Sequence, residues 1–297
     1  MSIKGNRRLG FGILAFLLLA ATLSSPSWRA RAVDKEKLTA EEVLARHLKS
    51  IGTAEDLAAA KTRIVVGNSL FTARSPGTGQ NSGLSMLFSE GNKSVVAMTF
   101  ANPSYPHEKF GYDGENLVIS YVRPGTRSTL GDFVYRRTSI FKEGLMGGTL
   151  STAWPLLNLT KEKGRIEYAG IKKIDGKENY VLRYVPRKGS DLQITLYFDG
   201  ETFQHVRTDY DQTIAPQMGA TADASKEGQR ELHYNLEEQF SDYKQEGKLT
   251  LPHAYKIKLR MEGAATTYIA DWEMVLSKFS FNQPLNTSWF DVNAEMN

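Results

Sequence analysis

Three Asp-Gly pairs, each lying between two strand-like runs, constrain the fold of this chain more than any other feature. Asp113-Gly114, Asp175-Gly176 and Asp199-Gly200 are each followed by a run rich in β-branched and aromatic residues. Asp-Gly readily adopts the positive φ angles of a tight hairpin turn, so each pair predicts two antiparallel neighbours. Three hairpins in series predict an antiparallel meander rather than a parallel sheet, which would require regular strand–helix alternation.

Further runs with the two-residue period of a strand raise the predicted total to roughly ten to twelve strands. They occupy residues 63–71, 83–89, 93–100, 230–243, 254–261 and 266–281. Two stretches interrupt them. Residues 141–159 are interpreted as a short helix or a mobile apolar loop, and residues 214–229 as a flexible excursion. The prediction is a mainly β protein of the α+β class.

A helix is predicted before the first strand. Thr39 and Glu42 form a capping box, in which the hydroxyl and the carboxylate each satisfy a free backbone amide. Apolar residues then recur at helical spacing until Gly52, and Thr53 with Asp56 repeats the capping signal weakly. We expect one or two N-terminal helices that cap the sheet.

The first 32 residues have the order of a cleavable export signal. A cationic start precedes an apolar run at residues 9–23, and Ala30-Arg31-Ala32 matches the A-x-A cleavage pattern. The run is shorter than the roughly 20 residues of a spanning helix, although an uncleaved anchor is the alternative. We expect cleavage after Ala32 and a single domain, residues 33–297, in the periplasm or outside the cell, with no membrane span.

Charge and cysteine content exclude several classes of function. The signal segment holds five Lys and Arg residues and no acid, so the formal charge of +4 becomes +4 − 5 = −1 after cleavage. That balance does not predict nucleic-acid binding, which requires a basic domain or stripe. The chain has no cysteine, which excludes disulfides, thiolate nucleophiles and zinc–thiolate sites.

The sequence contains no recognisable catalytic or metal motif. None of the five histidines lies in an H-E-x-x-H pattern, and no serine lies in a G-x-S-x-G elbow. The nearest candidate for a metal-dependent or hydrolytic site is the set His205, Asp209 and His233, which lacks ligand spacing. We therefore expect no enzyme activity, no catalytic residues, no metal and no cofactor.

Several short motifs resemble the lipoprotein-carrier superfamily of Gram-negative envelopes, the LolA/LolB-like half-barrels. They are LTAEEVL (38–44), FGYDGENL (110–117), YVLRYVP (180–186) with ITLYFD (194–199), FSDYK (240–244) with GKLTLP (247–252), and FSFNQPL (279–285). The resemblance implies a strongly curved antiparallel sheet, a half-barrel, with an apolar cavity for acyl chains. The chain is longer than a typical carrier, and the extra length falls in 141–159 and 214–229.

The leading hypothesis is a non-catalytic periplasmic carrier or sensor that binds acyl chains of lipids or lipoproteins, with envelope membrane proteins as further candidate partners. The expected cavity lining comprises Met86, Phe88, Met98, Phe100, Tyr121, Met146 and Trp154. Arg63 and Arg74 are both candidates for the family's ligand-contacting arginine. For any single aromatic residue, a packed core is the alternative interpretation.

Two other functions stay open at this point. An envelope protein-interaction module would have a filled core and an exposed apolar patch. An exported hydrolase would use His205, Asp209 and His233.

Overall fold

A computed structural model describes residues 38–159, 164–186, 188–215, 231–263 and 267–293. The predicted export signal, and nearly all of the predicted excursion at 214–229, lie outside the described residues. Within the described ranges, no helix is both long enough and apolar enough to cross a membrane.

The N-terminal helices form as predicted. Helix α1 spans Ala40–Ile51 and α2 spans Ala54–Ala59. The Thr39 amide donates to the Glu42 carboxylate over 2.7 Å, and the Glu42 amide donates to the Thr39 hydroxyl over 3.2 Å, which completes the capping box. The C-terminal end of α1 buries Ile51 in an apolar cluster of the sheet.

Twelve strands form one antiparallel sheet, which confirms the predicted fold class. Their order is β5-β4-β3-β2-β1-β12-β11-β10-β9-β8-β7-β6, so the first and last strands pair next to its centre. The strands are Thr62–Ser75 (β1), Gly79–Glu90 (β2), Lys93–Phe100 (β3), His107–Tyr112 (β4), Leu117–Ile119 (β5), Gly164–Ile174 (β6), Lys177–Pro186 (β7), Gln193–Asp199 (β8), His205–Ile214 (β9), Leu232–Glu246 (β10), Leu249–Glu262 (β11) and Thr267–Phe281 (β12).

All three Asp-Gly pairs lie between antiparallel neighbours, as predicted, but they do not form the same turn. Asp175 and Gly176 have φ angles of 49° and 82°, which gives β6 and β7 a tight connection. Between β8 and β9 the loop is longer, and the Asp199 carboxylate accepts from the amides of Glu201 and Thr202. There the positive φ, 58°, belongs to Phe203 rather than to the Asp-Gly pair.

Between β5 and β6 the chain leaves the sheet. Residues 128–159, named here the inner segment, contain two α-helices, α3 (Thr129–Arg136) and α4 (Ser139–Lys142), and two short 3₁₀ helices, Gly148–Leu150 and Pro155–Asn158. Helix α3 is not among the predicted elements.

Contacts of the inner segment show how strongly the sheet bends. Phe141 packs against Phe110 of β4, with ring centroids 5.7 Å apart, and Glu143 accepts a 2.6 Å hydrogen bond from Tyr184 of β7. Eight strands separate β4 from β7 in the sheet order. In a flat sheet that separation would be roughly 43 Å, because neighbouring strands lie about 4.8 Å apart. The sheet therefore curves around the inner segment as an open half-barrel, with a concave inner face and a convex outer face.

Residues 282–293, the C-terminal tail, lie on the outer face. Phe290 is fully buried there and packs against Phe88 of β2, with ring centroids 5.3 Å apart. The tail approaches β4 so closely that a Cβ atom at Gly111 would lie 2.2 Å from the Phe290 carbonyl oxygen.

We predict that Gly111→Ala lowers the free energy of unfolding by about 1–3 kcal/mol, because the added methyl group displaces the tail from β4. Chemical denaturation measures the change. The matched control is Gly79→Ala in β2, where an added Cβ meets nothing within 4 Å. Equal stability of the two variants would contradict the tight packing of the tail on β4.

Candidate functional site

The inner segment owes its course to one helix cap and three glycines. The Ser128 hydroxyl accepts from the Gly131 amide over 2.8 Å and starts α3. Gly144, Gly147 and Gly148 all have positive φ, between 49° and 82°, a conformation that favours glycine. A Cβ at Gly144 would lie 1.9 Å from the Ala153 carbonyl oxygen, so the chain folds back on itself without room for a side chain.

Side chains of the inner segment occupy the hollow of the half-barrel. They join the main hydrophobic cluster together with residues from the concave face of the sheet. Ten of its apolar residues are at most 2 % exposed: Leu130, Phe133, Val134, Ile140, Phe141, Leu145, Met146, Leu150, Trp154 and Leu156. The predicted short helix or mobile loop at 141–159 is thus a buried, largely irregular stretch.

The seven residues predicted to line one cavity do not come together. Met98, Phe100, Met146 and Trp154 are buried in the interior, whereas Met86 and Phe88 belong to a separate cluster on the outer face. In the register, Met98 pairs with Ser85 and Met86 with Ala97, and paired residues share a face. Met86 and Met98 therefore point to opposite sides of the sheet.

Tyr121 lies outside both clusters. It follows β5 at the edge of the sheet, is 44 % exposed, and has the Arg127 guanidinium 4.5 Å from its ring centroid.

The two candidate arginines also lie on opposite faces of the sheet. Arg63 is buried in the interior, and its Nη1 donates to the Thr149 carbonyl oxygen over 2.5 Å. Its Nε and Nη2 have no hydrogen-bond partner among the described residues, and burial lowers its pKa to about 10. Arg74 lies on the outer face, paired with Asp271 over 2.6 Å. Of the two candidates, Arg63 is the one beneath the inner segment.

A buried carboxylate forms a second polar attachment of the inner segment. Glu238 of β10 accepts hydrogen bonds from the Gly147 amide (2.8 Å), from the Tyr210 hydroxyl (2.6 Å) and from the Tyr255 hydroxyl. Burial raises the pKa of Glu238 to about 7, although the three hydrogen bonds act in the opposite direction. Arg63 and Glu238 are thus two buried ionisable residues that each contact the backbone of the inner segment. Glu108 of β4 is a second buried acid, and burial raises its pKa to about 7 as well.

The hydrolase candidate residues do not converge. His205 is fully buried, and its ring lies 4.8 Å from that of Trp154, whereas Asp209 pairs with Arg207 on the outer face. Tyr197 of β8 pairs with Arg207 of β9, but Phe198 pairs with His205, so β9 has one extra residue at this point. Such a bulge changes the face to which the side chains point, and His205 and Asp209 therefore lie on opposite faces of the sheet. His233 of β10 hydrogen-bonds to Thr213, which lies near the C-terminal end of β9. No cluster of metal-binding side chains occurs within the described ranges.

His47 of α1 is a fully buried polar residue. Its Nδ1 lies 3.0 Å from the Phe203 carbonyl oxygen, and its Nε2 accepts from the Trp154 indole over 3.4 Å. Desolvation lowers the pKa of His47 to about 4, so the ring is neutral at pH 7 and connects α1 to the inner segment.

Sequence reasoning missed Glu238, although a signal for it exists. Leu236, Glu238 and Phe240 alternate along β10, and the two apolar neighbours face the core. The period of two places the carboxylate on that same inward face.

Comparisons with known proteins give structural similarity only. No family model and no curated protein sequence matches the chain. A LolA superfamily protein from Nitrosomonas europaea is 14 % identical, with a TM-score of 0.45, and covers 84 % of this chain and 97 % of its own. A putative outer membrane lipoprotein-sorting protein domain from Vibrio parahaemolyticus is 14 % identical, with a TM-score of 0.39 and coverages of 84 % and 98 %.

A third similar structure is a DUF1329 family protein from Desulfovibrio piger, which is 10 % identical with a TM-score of 0.38 and covers 84 % of this chain and 96 % of its own. The half-barrel itself rests on the strand order and the curvature described above.

We predict that Glu238→Gln reduces the loss of stability with rising pH. The folded pKa of about 7 lies above the ordinary value of 4.5, so the folded state binds the extra proton between these values. The stability contributed by this proton is present below pH 4.5 and is lost as the pH rises to about 7. Urea unfolding at pH 5 and pH 8 should show that the difference between wild type and variant changes by about 3 kcal/mol. A difference independent of pH would contradict a buried, titrating Glu238.

Proposed function

We propose that this chain is an exported, non-catalytic carrier or sensor that binds the acyl chains of lipids or lipoproteins inside the half-barrel. One observation carries the proposal: a single stretch of chain, the inner segment, occupies the hollow of the sheet. A concave apolar face that is covered by one displaceable segment offers an acyl chain the same surroundings that the segment's side chains now occupy.

The free energy gained from such an exchange increases with the length of the alkyl chain of the ligand. Each buried methylene contributes about 0.8 kcal/mol, so an alkyl chain compensates for apolar side chains that it displaces. The half of the segment from Gly144 onward is the best candidate for movement, because its three glycines permit backbone changes that other residues resist.

Arg63 is the proposed polar contact for the ligand. Separation of the inner segment from the sheet removes the Thr149 carbonyl oxygen, which is the hydrogen-bond acceptor of this arginine among the described residues. A buried guanidinium without an acceptor is strongly unfavourable. An ester carbonyl or phosphate oxygen at the head of an acyl chain would replace that acceptor, so the ligand and the segment compete for the same cation.

A disulfide lock tests this proposal directly, since the natural chain has no cysteine. The Thr152 amide donates to the Ser89 hydroxyl over 2.8 Å, which brings the two residues within reach of a disulfide. We predict that oxidised Ser89→Cys/Thr152→Cys binds no dibromostearic acid in the interior and that reduction restores binding. The measurement is quenching of Trp154 and Trp272, in a background where Trp28 and Trp289 are Phe.

Each single cysteine variant, treated with the same oxidant, is the matched control and should bind as well as the wild type. Undiminished quenching of Trp154 and Trp272 in the locked protein would contradict exchange between the segment and the ligand. Lipid extraction of the purified wild-type protein, followed by mass spectrometry, would identify the class of its natural ligand.

Export belongs to the proposal as well. The order of charges, apolar run and A-x-A pattern in residues 1–32 supports cleavage after Ala32. We predict that the protein recovered from the periplasmic fraction of an expressing Gram-negative cell begins at Val33. N-terminal sequencing measures this, and an intact N-terminus in the membrane fraction would contradict it.

A second candidate function is an envelope protein-interaction module with a filled core. The burial of ten apolar side chains of the inner segment, each at most 2 % exposed, favours it. Under this alternative the segment never leaves the sheet, so the locked and unlocked proteins behave alike and neither takes up fatty acid in the interior.

A further inference from the structure

The outer face of the half-barrel is divided into a charged half and an apolar half. Over β9–β12 it carries interleaved acidic and basic residues such as Asp209, Glu237, Lys258 and Asp271, several of them in ion pairs. Over β1–β3 the outward positions include a cluster of apolar residues, among them Ile64, Val66, Met86, Phe88 and Val95. An antiparallel sheet face that contacts water is ordinarily polar, so the apolar half requires a cover.

The C-terminal tail covers only part of the apolar half. Phe290 is buried over Phe88, and Trp289 packs edge-on to the same ring, with centroids 6.5 Å apart. Beyond the tail the surface stays open, and Leu84 is 62 % exposed. The tail therefore forms one wall of a groove whose floor is the sheet.

The groove has a volume of about 420 Å³, within the range of small-molecule sites. Its floor is formed by outward side chains of β1, β2 and β3, and Trp289 and Val292 of the tail line its side. The floor residues include Val66, Leu84, Met86 and Ala97.

Lys109 is the one charged residue among the described residues that line this groove. It projects from β4, opposite Ala97 of β3, and forms no ion pair with any described residue. An apolar trough with a single cation at its side is complementary to a molecule that has one hydrocarbon chain and one anionic group. A polar peptide or a nucleotide would leave either its polar groups or the apolar floor unmatched.

We propose that this outer groove binds a single-chain anionic amphiphile, with its alkyl chain along Val66, Leu84 and Met86 and its carboxylate or phosphate at Lys109. The site goes beyond the proposed function, because the sheet separates it from the inner segment and its occupation requires no movement of that segment. Fatty acids and lysophospholipids share the required chemistry.

Quenching by dibromostearic acid distinguishes this site from the interior. Trp289 borders the groove, whereas Trp154 and Trp272 are buried inside. In a Trp28→Phe background, the oxidised Ser89→Cys/Thr152→Cys protein should still be quenched, and further substitution of Trp289 by Phe should abolish the quenching. If dibromostearic acid quenches the interior tryptophans but not Trp289, the groove proposal is wrong and the proposed function stands. If it quenches Trp289 but not the interior tryptophans, the proposed function is wrong and the groove proposal stands.

Two exposed apolar residues provide a matched pair of variants. Leu84 lines the groove and is 62 % exposed, whereas Val275 on β12 is 63 % exposed and is not among the lining residues. We expect Leu84→Asp to weaken binding at Trp289 about tenfold and Val275→Asp to leave it unchanged, since both changes are accommodated on the surface. Equal effects of the two variants would overturn the proposal.

Lys109→Gln tests the anionic group. With each protein's own affinity for dibromostearic acid taken into account, the inhibition constant should weaken about fivefold for unlabelled stearic acid or lysophosphatidic acid, and not at all for a neutral monoacylglycerol. The acid that loses more identifies the preferred headgroup. An equal loss for the neutral lipid would overturn the assignment. It would also be overturned if none of the three lipids bound at Trp289, which is the result expected if the patch binds a protein partner instead.

Discussion

A sheet of twelve strands that bends around one side must bury its concave face, and every other feature of the molecule follows from how that face is covered. The chain meets this constraint with 32 consecutive residues, 128–159, placed between the two edge strands of the sheet. This one segment contacts strands from both halves and contributes a large part of the hydrophobic core.

Polar attachments make this arrangement specific rather than merely apolar. Arg63, Glu238 and Tyr184 each hold one point of the inner segment, at Thr149, Gly147 and Glu143. Each attachment is a single hydrogen bond to the segment, and two of them reach its backbone. Such contacts fix the position of the segment. In the proposed exchange, acceptor atoms of a ligand would replace those at Arg63 and Tyr184, whereas the contact at Glu238 would need a donor.

Local features of this fold were predictable, because they depend on neighbours in sequence. The capping box of Thr39 and Glu42 and the Asp175-Gly176 turn are complete within a few residues. The curvature of the sheet was predicted only because short sequence motifs resemble those of the half-barrel carriers. The facing of strands against each other was not predictable, because it depends on register: Met86 and Met98 have similar surroundings in sequence but lie on opposite faces. A shift at His205 likewise separates it from Asp209.

The inner segment was the hardest part to interpret from sequence. In α3, Leu130, Phe133 and Val134 do have helical spacing. Beyond α3 the elements are too short and irregular to show the single-face periodicity that identifies a helix or a strand. The positive φ angles of Gly144, Gly147 and Gly148 also arise from contacts with distant parts of the chain, such as His205 and Phe240 near Gly148. Sequence therefore indicated an apolar, glycine-rich interruption, whereas its position inside the half-barrel is a property of the tertiary structure.

Hydrogen–deuterium exchange measured by mass spectrometry, with and without a saturating long-chain fatty acid, tests the central claim most directly. If an acyl chain takes the place of the inner segment, amides at 144–159 exchange faster in the complex while those of β11 and β12 stay protected. Unchanged or slower exchange at 144–159, in a protein shown to hold the fatty acid in its interior, would contradict the account.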